Sequence, residues 1–307
     1  MNLIALVGGE TLLGADVREA LVDRVPDATI RMVGSHDETI LTEEQGEAVV
    51  LTGLDETAIA ESRAVVLAGS PESSRKAFTI LERSAQRPLI VDLTAALEDR
   101  PEARLRAPAV EGGARGAPAP IQIVAHPAAI ILAKVLRAAK GAGRAVATIL
   151  APASERGRAG VEELRQQTVQ LLSFQPLQQD LFGAQLSFNL LAGACADDER
   201  KIERHLASLL SSGPPAPMPS LRVIQTPVMH GYAISLWVEG AGDFDRQGLD
   251  LWAESVPSPV GVAGESGISI GAMERDRNHG SAIWMWVVAD QFRVAARDAA
   301  DLVRESL

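Results

Sequence analysis

Thiols are almost absent from this chain of 307 residues. Cys195 is the only cysteine, so no intramolecular disulfide can form and nothing points to an oxidising compartment. Cations are outnumbered, 29 Lys and Arg against 40 Asp and Glu, and the net charge of -11 disfavours a nucleic-acid or anionic-membrane surface. No apolar run has the length of a membrane span. The start, Met1-Asn2-Leu3-Ile4, lacks the basic region and long apolar stretch of a signal peptide, so a soluble cytoplasmic protein is expected. His36, His126, His205, His230 and His279 show no metal-ligand spacing, so no metal is expected. No Gly-x-Ser-x-Gly elbow and no phosphate-binding P-loop occur. Aromatics make up 4%, and Trp237, Trp252, Trp284 and Trp286 read as core or interface residues rather than a binding cage.

What is present is ordinary for a globular protein: 47% apolar and 22% charged residues, with length for two domains. Apolar runs at 3–7, 64–68 and 88–92, with 29–33, alternate with helical spacing at 12–21 and 72–85. Such alternation indicates a parallel sheet covered on both faces. A Pro, Gly and Ala-rich loop at 107–120 precedes a strand at 121–125. The pattern then changes. Strands at 145–151, 222–228, 233–239, 267–272 and 282–288 with helices at 160–172 and 200–210 suit a mostly antiparallel sheet with helices on one face. An amphipathic helix at 292–307 closes the chain.

One absence matters more than the others. The apolar run Ile123-Val124-Ala125 leads through His126 into Pro127, which opens a helix that Gly141 closes. Residues just after Pro127 fall on the first helical turn, where unpaired N–H groups and the helix dipole stabilise an anion such as a thiolate. Here Ala128 and Ala129 offer only methyl groups.

Several short motifs recur in a particular order. They are the opening strand-turn-helix, Val91-Asp92 with Pro108 and Val110, and Ser154 and Gly157 with Ala159-Gly160 and Glu162-Glu163-Leu164. Phe188-Asn189, Pro227-Val228 with Gly231, and Asp290 with Arg293 complete the series. In this order and spacing the chain resembles the aspartate-semialdehyde dehydrogenase family over nearly its whole length. The stretches 181–189 and 225–228 resemble its Usg-type branch, which also lacks the catalytic cysteine. The resemblance implies an α/β fold: a Rossmann-like NAD(P)-binding domain over 1–127, with helix 290–307 packing back on it. An α+β catalytic and dimerisation domain of the semialdehyde dehydrogenase type would cover 128–289.

The reaction of that family uses a cysteine nucleophile, a histidine base, an arginine that grips the substrate carboxylate, and a glutamine that positions the acyl intermediate. The resemblance places these on Ala129, Tyr232, Gln225 and, with looser alignment, Ala151. All four are changed. The candidate cofactor turn is Gly8-Gly9-Glu10-Thr11-Leu12-Leu13-Gly14. Thr11 replaces its middle glycine, and Glu10 adds charge of the wrong sign for a phosphate. Gln291 departs from the family's asparagine at a position implied to face nicotinamide.

Other residues carry two readings each. Asp198 and Lys201 are either substrate-site remnants or a helix start with its solvated partner one turn on. His230, two positions before Tyr232, would share its face if the strand extended that far. His126 either caps the helix or points into the former pocket, and Cys195 lies beside acids that would suppress its thiolate. The expectation is a non-catalytic binding or scaffold protein without cofactor (NADP if any), paired with itself or with an active paralogue. The alternative is an NADP-dependent oxidoreductase of amino-acid biosynthesis with altered chemistry, using Tyr232 or His230 as proton donor.

Overall fold

The computed structural model describes residues 2–35, 40–44, 47–59, 61–84, 86–111, 119–245, 249, 257–271 and 273–307. His36 and Trp252 lie outside them. The chain divides into two compact units, 1–125 with 295–307, and 126–294. No helix among the described residues is long and apolar enough to cross a membrane.

The first unit begins with β1 (Asn2–Val7), α1 (Leu12–Arg24) and β2 (Ala28–Val33). A separate hairpin follows, β3 (Ile40–Glu44) and β4 (Glu47–Leu51), then α2 (Glu56–Ile59), β5 (Ala64–Leu67), α3 (Pro71–Arg83) and β6 (Leu89–Asp92). β7 (Ala103–Arg106), α4 (Pro108–Glu111) and β8 (Ile121–Val124) complete it. Six strands form one parallel sheet in the order β2-β1-β5-β6-β8-β7. β5 and β8 are buried along their whole length, as strands covered on both faces must be. Ser70 caps α3 reciprocally with Ser73, and Pro71 starts it. The loop expected at 107–120 contains α4, and the edge strand β7 before it carries no apolar run to announce it. Arg106 fixes that edge through Glu111 and, at 3.1 Å, Glu305.

The second unit opens with α5 (Pro127–Ala138), β9 (Ala139–Lys140), β10 (Arg144–Ala151), a 3-10 turn (Ala153–Arg156) and α6 (Gly157–Leu172). It continues with β11 (Leu191–Ala192), α7 (Ala196–Ser211), β12 (Ser220–Gln225), β13 (Tyr232–Glu239) and β14 (Asp243–Phe244). β15 (Ile268–Ile270), β16 (Glu274–Arg275), β17 (Ala282–Ala289) and α8 (Gln291–Ser306) end the chain. The main sheet runs β11-β12-β10-β13-β17-β15, with β16 on β17, and only β10 and β12 among its pairs are parallel. β10 alternates exposed and buried along its length, so one face is packed. α5 is buried almost all round and packs on α7, whose last turn receives Arg137 on the carbonyls of Leu209 and Ser212. The irregular stretch after α6 is held from inside by two buried side chains. Glu163 accepts from the N–H groups of Leu181 and Phe182, and Gln167 from those of Leu186 and Ser187. α6 and α7 begin earlier than their apolar spacing indicates, at Gly157 and Ala196, because their first turns are polar. β12 stops at Gln225 rather than running to 228, since Pro227 has no N–H to donate.

Candidate functional site

Helix α5 starts in a polar collar. The His126 Nδ1 accepts the Ala128 N–H at 3.3 Å, so this histidine is the N-cap. Its own N–H donates to Nδ1 of His205, a buried residue of α7, at 2.8 Å. Burial, then the charges of Lys201 and His205, push the His126 imidazole down to about 3, so it is neutral at physiological pH. Ala129 has no exposed surface, and neither does Ala128.

Tyr232 stands at the first position of β13 and is 1% exposed. Its ring centroid lies 6.4 Å from that of His126, and its hydroxyl is within electrostatic reach of the Glu155 carboxyl in the 3-10 turn after β10. Burial and then the Glu155 charge raise the phenol well above its usual range. Burial also raises the Glu155 carboxyl. A phenol so placed has little tendency to give up its proton, and as a neutral group it is no base.

Gln225 and Ala151 are register partners at the ends of the parallel strands β12 and β10. Gln225 Nε2 and the Thr226 hydroxyl both donate to the Ala151 carbonyl at 3.0 Å. The structure thus joins the 225 and 151 positions through a backbone carbonyl, leaving no cation at either. Cys195 is the N-cap residue of α7, buried, with its thiol 4.0 Å from Gln225 Oε1. Burial and then Asp198 push that thiol up to about 11. Asp198 lies in the first turn of α7 and pairs with Arg156 at 3.3 Å. Lys201, one turn on, is partly exposed and acts on His126 and Glu155 only through its field.

His230 does not sit on the strand. β13 begins at Tyr232, and Gly231 at φ 89° breaks the alternation that would have aligned the two side chains. His230 instead joins a separate chain of hydrogen bonds. Gln291 Nε2 donates to Ser154 Oγ at 2.7 Å, Ser154 Oγ meets His230 Nδ1 at 3.0 Å, and His230 Nε2 meets Asp290 Oδ2 at 2.9 Å. Asp290 also caps α8 through the N–H groups of Phe292 and Arg293, and accepts from Gly264. Burial would raise its carboxyl, but His230 and these N–H groups hold it below the usual range. The order serine, histidine, aspartate is that of a nucleophilic triad. Ser154 is 1% exposed and already accepts from Gln291, so no substrate carbonyl can reach it. Gln291 is itself fully used, its Oε1 taking the Gly231 N–H.

The turn ahead of α1 keeps the tight geometry of a nucleotide-binding turn. A Cβ on Gly8 would lie 2.3 Å from the Gly69 Cα, and one on Gly14 2.2 Å from the Gly8 carbonyl. Gly9 is closed in by the Met32 side chain, and Leu12 is the first residue of the helix. Thr11 is the N-cap: its Oγ1 accepts the Gly14 N–H at 2.8 Å and reaches the carbonyls of Gly8 and Ala68, each at 2.9 Å. Glu10 Oε1 accepts the Ser35 N–H beyond the end of β2 at 2.9 Å. No group of three or more His, Cys, Asp and Glu able to hold a metal occurs among the described residues.

The residues that escape sequence reasoning are the partners. Glu155 lies within the Ser154 to Gly157 stretch, but its interaction with Tyr232 spans 77 positions of sequence. His205 has no local signal at all. Trp237 and Trp284 share Asp276 as acceptor, and Trp286 donates to the Pro257 carbonyl, which agrees with packing roles.

A family model described as the semialdehyde dehydrogenase dimerisation domain matches residues 134–294. A USG-1 protein homologue of Pseudomonas aeruginosa is 31% identical over 175 residues, 50% of this chain and 51% of that protein. Aspartate-semialdehyde dehydrogenase 2 of Vibrio cholerae is 26% identical over 197 residues, 58% of each. The chain spans little more than half the length of these curated relatives. A solved structure of a probable aspartate-semialdehyde dehydrogenase from Pseudomonas aeruginosa superposes with a TM-score of 0.81 at 24% identity, covering 99% of this chain and 98% of that one. The matched domain accounts for the whole main sheet of the second unit, and the solved structure carries the likeness through the parallel sheet as well. The chain belongs to the semialdehyde dehydrogenase family.

Proposed function

We propose that this family member has lost the dehydrogenase reaction and works as a non-catalytic binding or scaffold protein, dimeric through its second unit. The supporting observation is a first helical turn of α5 that carries only buried methyl groups, at Ala128 and Ala129, with a buried phenol, Tyr232, where the family resemblance implies a base. A thiolate at 129 would need a neighbouring base to move its proton as the aldehyde adds. Ala129 supplies no sulfur, and the Tyr232 phenol is held protonated. Gln225 has no charge with which to grip a carboxylate and is spent on the Ala151 carbonyl. Loss of one member of such a set costs orders of magnitude in rate, and here three are gone.

The same geometry counts against altered oxidoreductase chemistry at Tyr232 or His230. Neither offers a proton toward an open space: Tyr232 is buried, and His230 is tied to Ser154 and Asp290. The partner is a second copy or an active paralogue. The deciding assay is phosphate-dependent NADP reduction with aspartate semialdehyde, using purified protein. No turnover above background is expected, and rates on the order of 1–10³ per second would overturn the reading. Size-exclusion chromatography with light scattering, alone and with a catalytically intact paralogue, tests the dimer.

A further inference from the structure

The amino ends of the parallel strands in the first unit hold a cavity of about 330 Å³. It lies where Pro88 and Pro120 lead into β6 and β8, against the C-terminal half of α3. Its floor is Phe78 and Leu81 of α3 with Ile90 and Ile121, all buried and continuous with the core of that unit. Phe78 and Leu81, three positions apart, share one face of the helix. Ile90 and Ile121 are register partners, and the Ile90 N–H donates to the Pro120 carbonyl at 2.9 Å. The turn ahead of α1 follows the carboxyl end of β1, at the opposite edge of the same sheet, so the cavity is a separate place. We propose that it binds a free apolar α-amino acid as its zwitterion, with the side chain on the floor, the ammonium at Glu102 and the carboxylate at Arg87.

The charges at the rim select this class of ligand. Glu82, Arg87 and Glu102 line the cavity, and all are exposed. Glu82 is already matched by Arg100 at 3.5 Å, and Arg100 in turn covers the Phe78 ring at 4.4 Å from its centroid. Arg87 Nη1 donates to the carbonyls of Leu81 and Glu82 at 3.3 and 3.4 Å. These bonds fix the guanidinium at the end of α3 and leave its other nitrogens for a ligand. Among the described residues neither Arg87 nor Glu102 forms an ion pair, although both line the same cavity. What remains is one cation and one anion over an apolar floor. A zwitterion matches both, whereas a simple amine leaves Arg87 unmatched and a simple acid leaves Glu102 unmatched. The volume stands at the low end for ligand sites, enough for one amino acid and too little for a dinucleotide. An apolar side chain on the floor takes that surface, and its own, out of water. None of positions 129, 151, 225 or 232 takes part, so the proposal stands or falls independently of the lost reaction.

The test is isothermal titration calorimetry of the full chain with leucine and phenylalanine. Each is set beside the amine that lacks its carboxylate (isoamylamine, phenethylamine) and the acid that lacks its ammonium (isocaproate, hydrocinnamate). At least one of the two amino acids is expected to bind, and each of its single-charge analogues to bind roughly tenfold or more weakly, one charge-assisted hydrogen bond being lost in each. Arg87→Gln should remove the advantage over the amine, and Glu102→Gln the advantage over the acid. The wild-type series reads the same discrimination should either variant fail to fold. No binding of either amino acid, or an amine or acid that binds as tightly as its parent, overturns the proposal.

Discussion

The Tyr232 phenol lies within electrostatic reach of the Glu155 carboxyl, whose charge, after burial, opposes ionisation of the phenol. Y232F takes the one polar atom of a buried side chain away from Glu155 and is expected to cost about 1–3 kcal/mol of unfolding free energy in urea titrations. Y232F and E155Q combined should fall short of additivity by about 0.5–3 kcal/mol. Strict additivity would mean that the two side chains do not interact in solution.

Stability should respond to pH with opposite signs at two neighbours. His126 is depressed to about 3 in the folded state, so between about pH 3 and 6.5 the unfolded chain takes up a proton that the folded one refuses. Its contribution makes stability fall by about 1.4 kcal/mol per pH unit on acidification through that window. Glu155 is raised, so its contribution is fully present below the unfolded carboxyl value and is lost as pH rises through the folded one. Urea midpoints measured from about pH 5 to about pH 6.5 should therefore flatten in H126Q and steepen in E155Q. Unchanged slopes in both variants would contradict the burial of this pair.

Thiol chemistry gives a third check. Cys195, buried and pushed up to about 11, should resist alkylation in the native protein at neutral pH and react fully on unfolding. The A129C variant should add a second protected thiol, cost about 1–3 kcal/mol because position 129 has no spare space, and restore no dehydrogenase activity. Mass spectrometry after iodoacetamide treatment reads both thiols.

In the turn ahead of α1, two substitutions separate packing from capping. Gly14→Ala would force a Cβ to within 2.2 Å of the Gly8 carbonyl and is expected to cost about 3 kcal/mol. T11A removes the cap of α1 and should cost about 0.5–2 kcal/mol. A milder effect for G14A than for T11A in thermal melts would show that the turn is looser than these contacts require.

Much of this architecture is legible in the order of the amino acids. β1, β5 and β8 announce themselves as apolar runs because strands covered on both faces must be apolar, and Pro127 opens α5, which ends at Ala138 with Ala139 as its C-cap rather than at Gly141, because the chain turns into β9 first. β7, with the sequence Ala-Arg-Leu-Arg, and the acidic hairpin β3–β4 do not read as strands, since edges need no continuous apolar face. The substituted positions 129, 225 and 232 are located only through family resemblance. Their partners stay hidden, because Glu155, His205 and Asp290 take their roles from contacts far apart in sequence. His230 departs from its expected place for a local reason, the positive φ of Gly231, which alternation cannot anticipate.

The lone parallel pair of the second sheet carries a kinetic implication. β10 and β12 cannot zip together until the chain over 152–219, with α6 and α7, has been laid across the gap between them. Closing so long a loop is entropically expensive, while the β13–β17 ladder closes over the shorter span 240–281. The Ala151 carbonyl, with Gln225 and Thr226 upon it, marks the end of that late seam. Mutations at this seam are therefore expected to slow refolding less than they hasten unfolding.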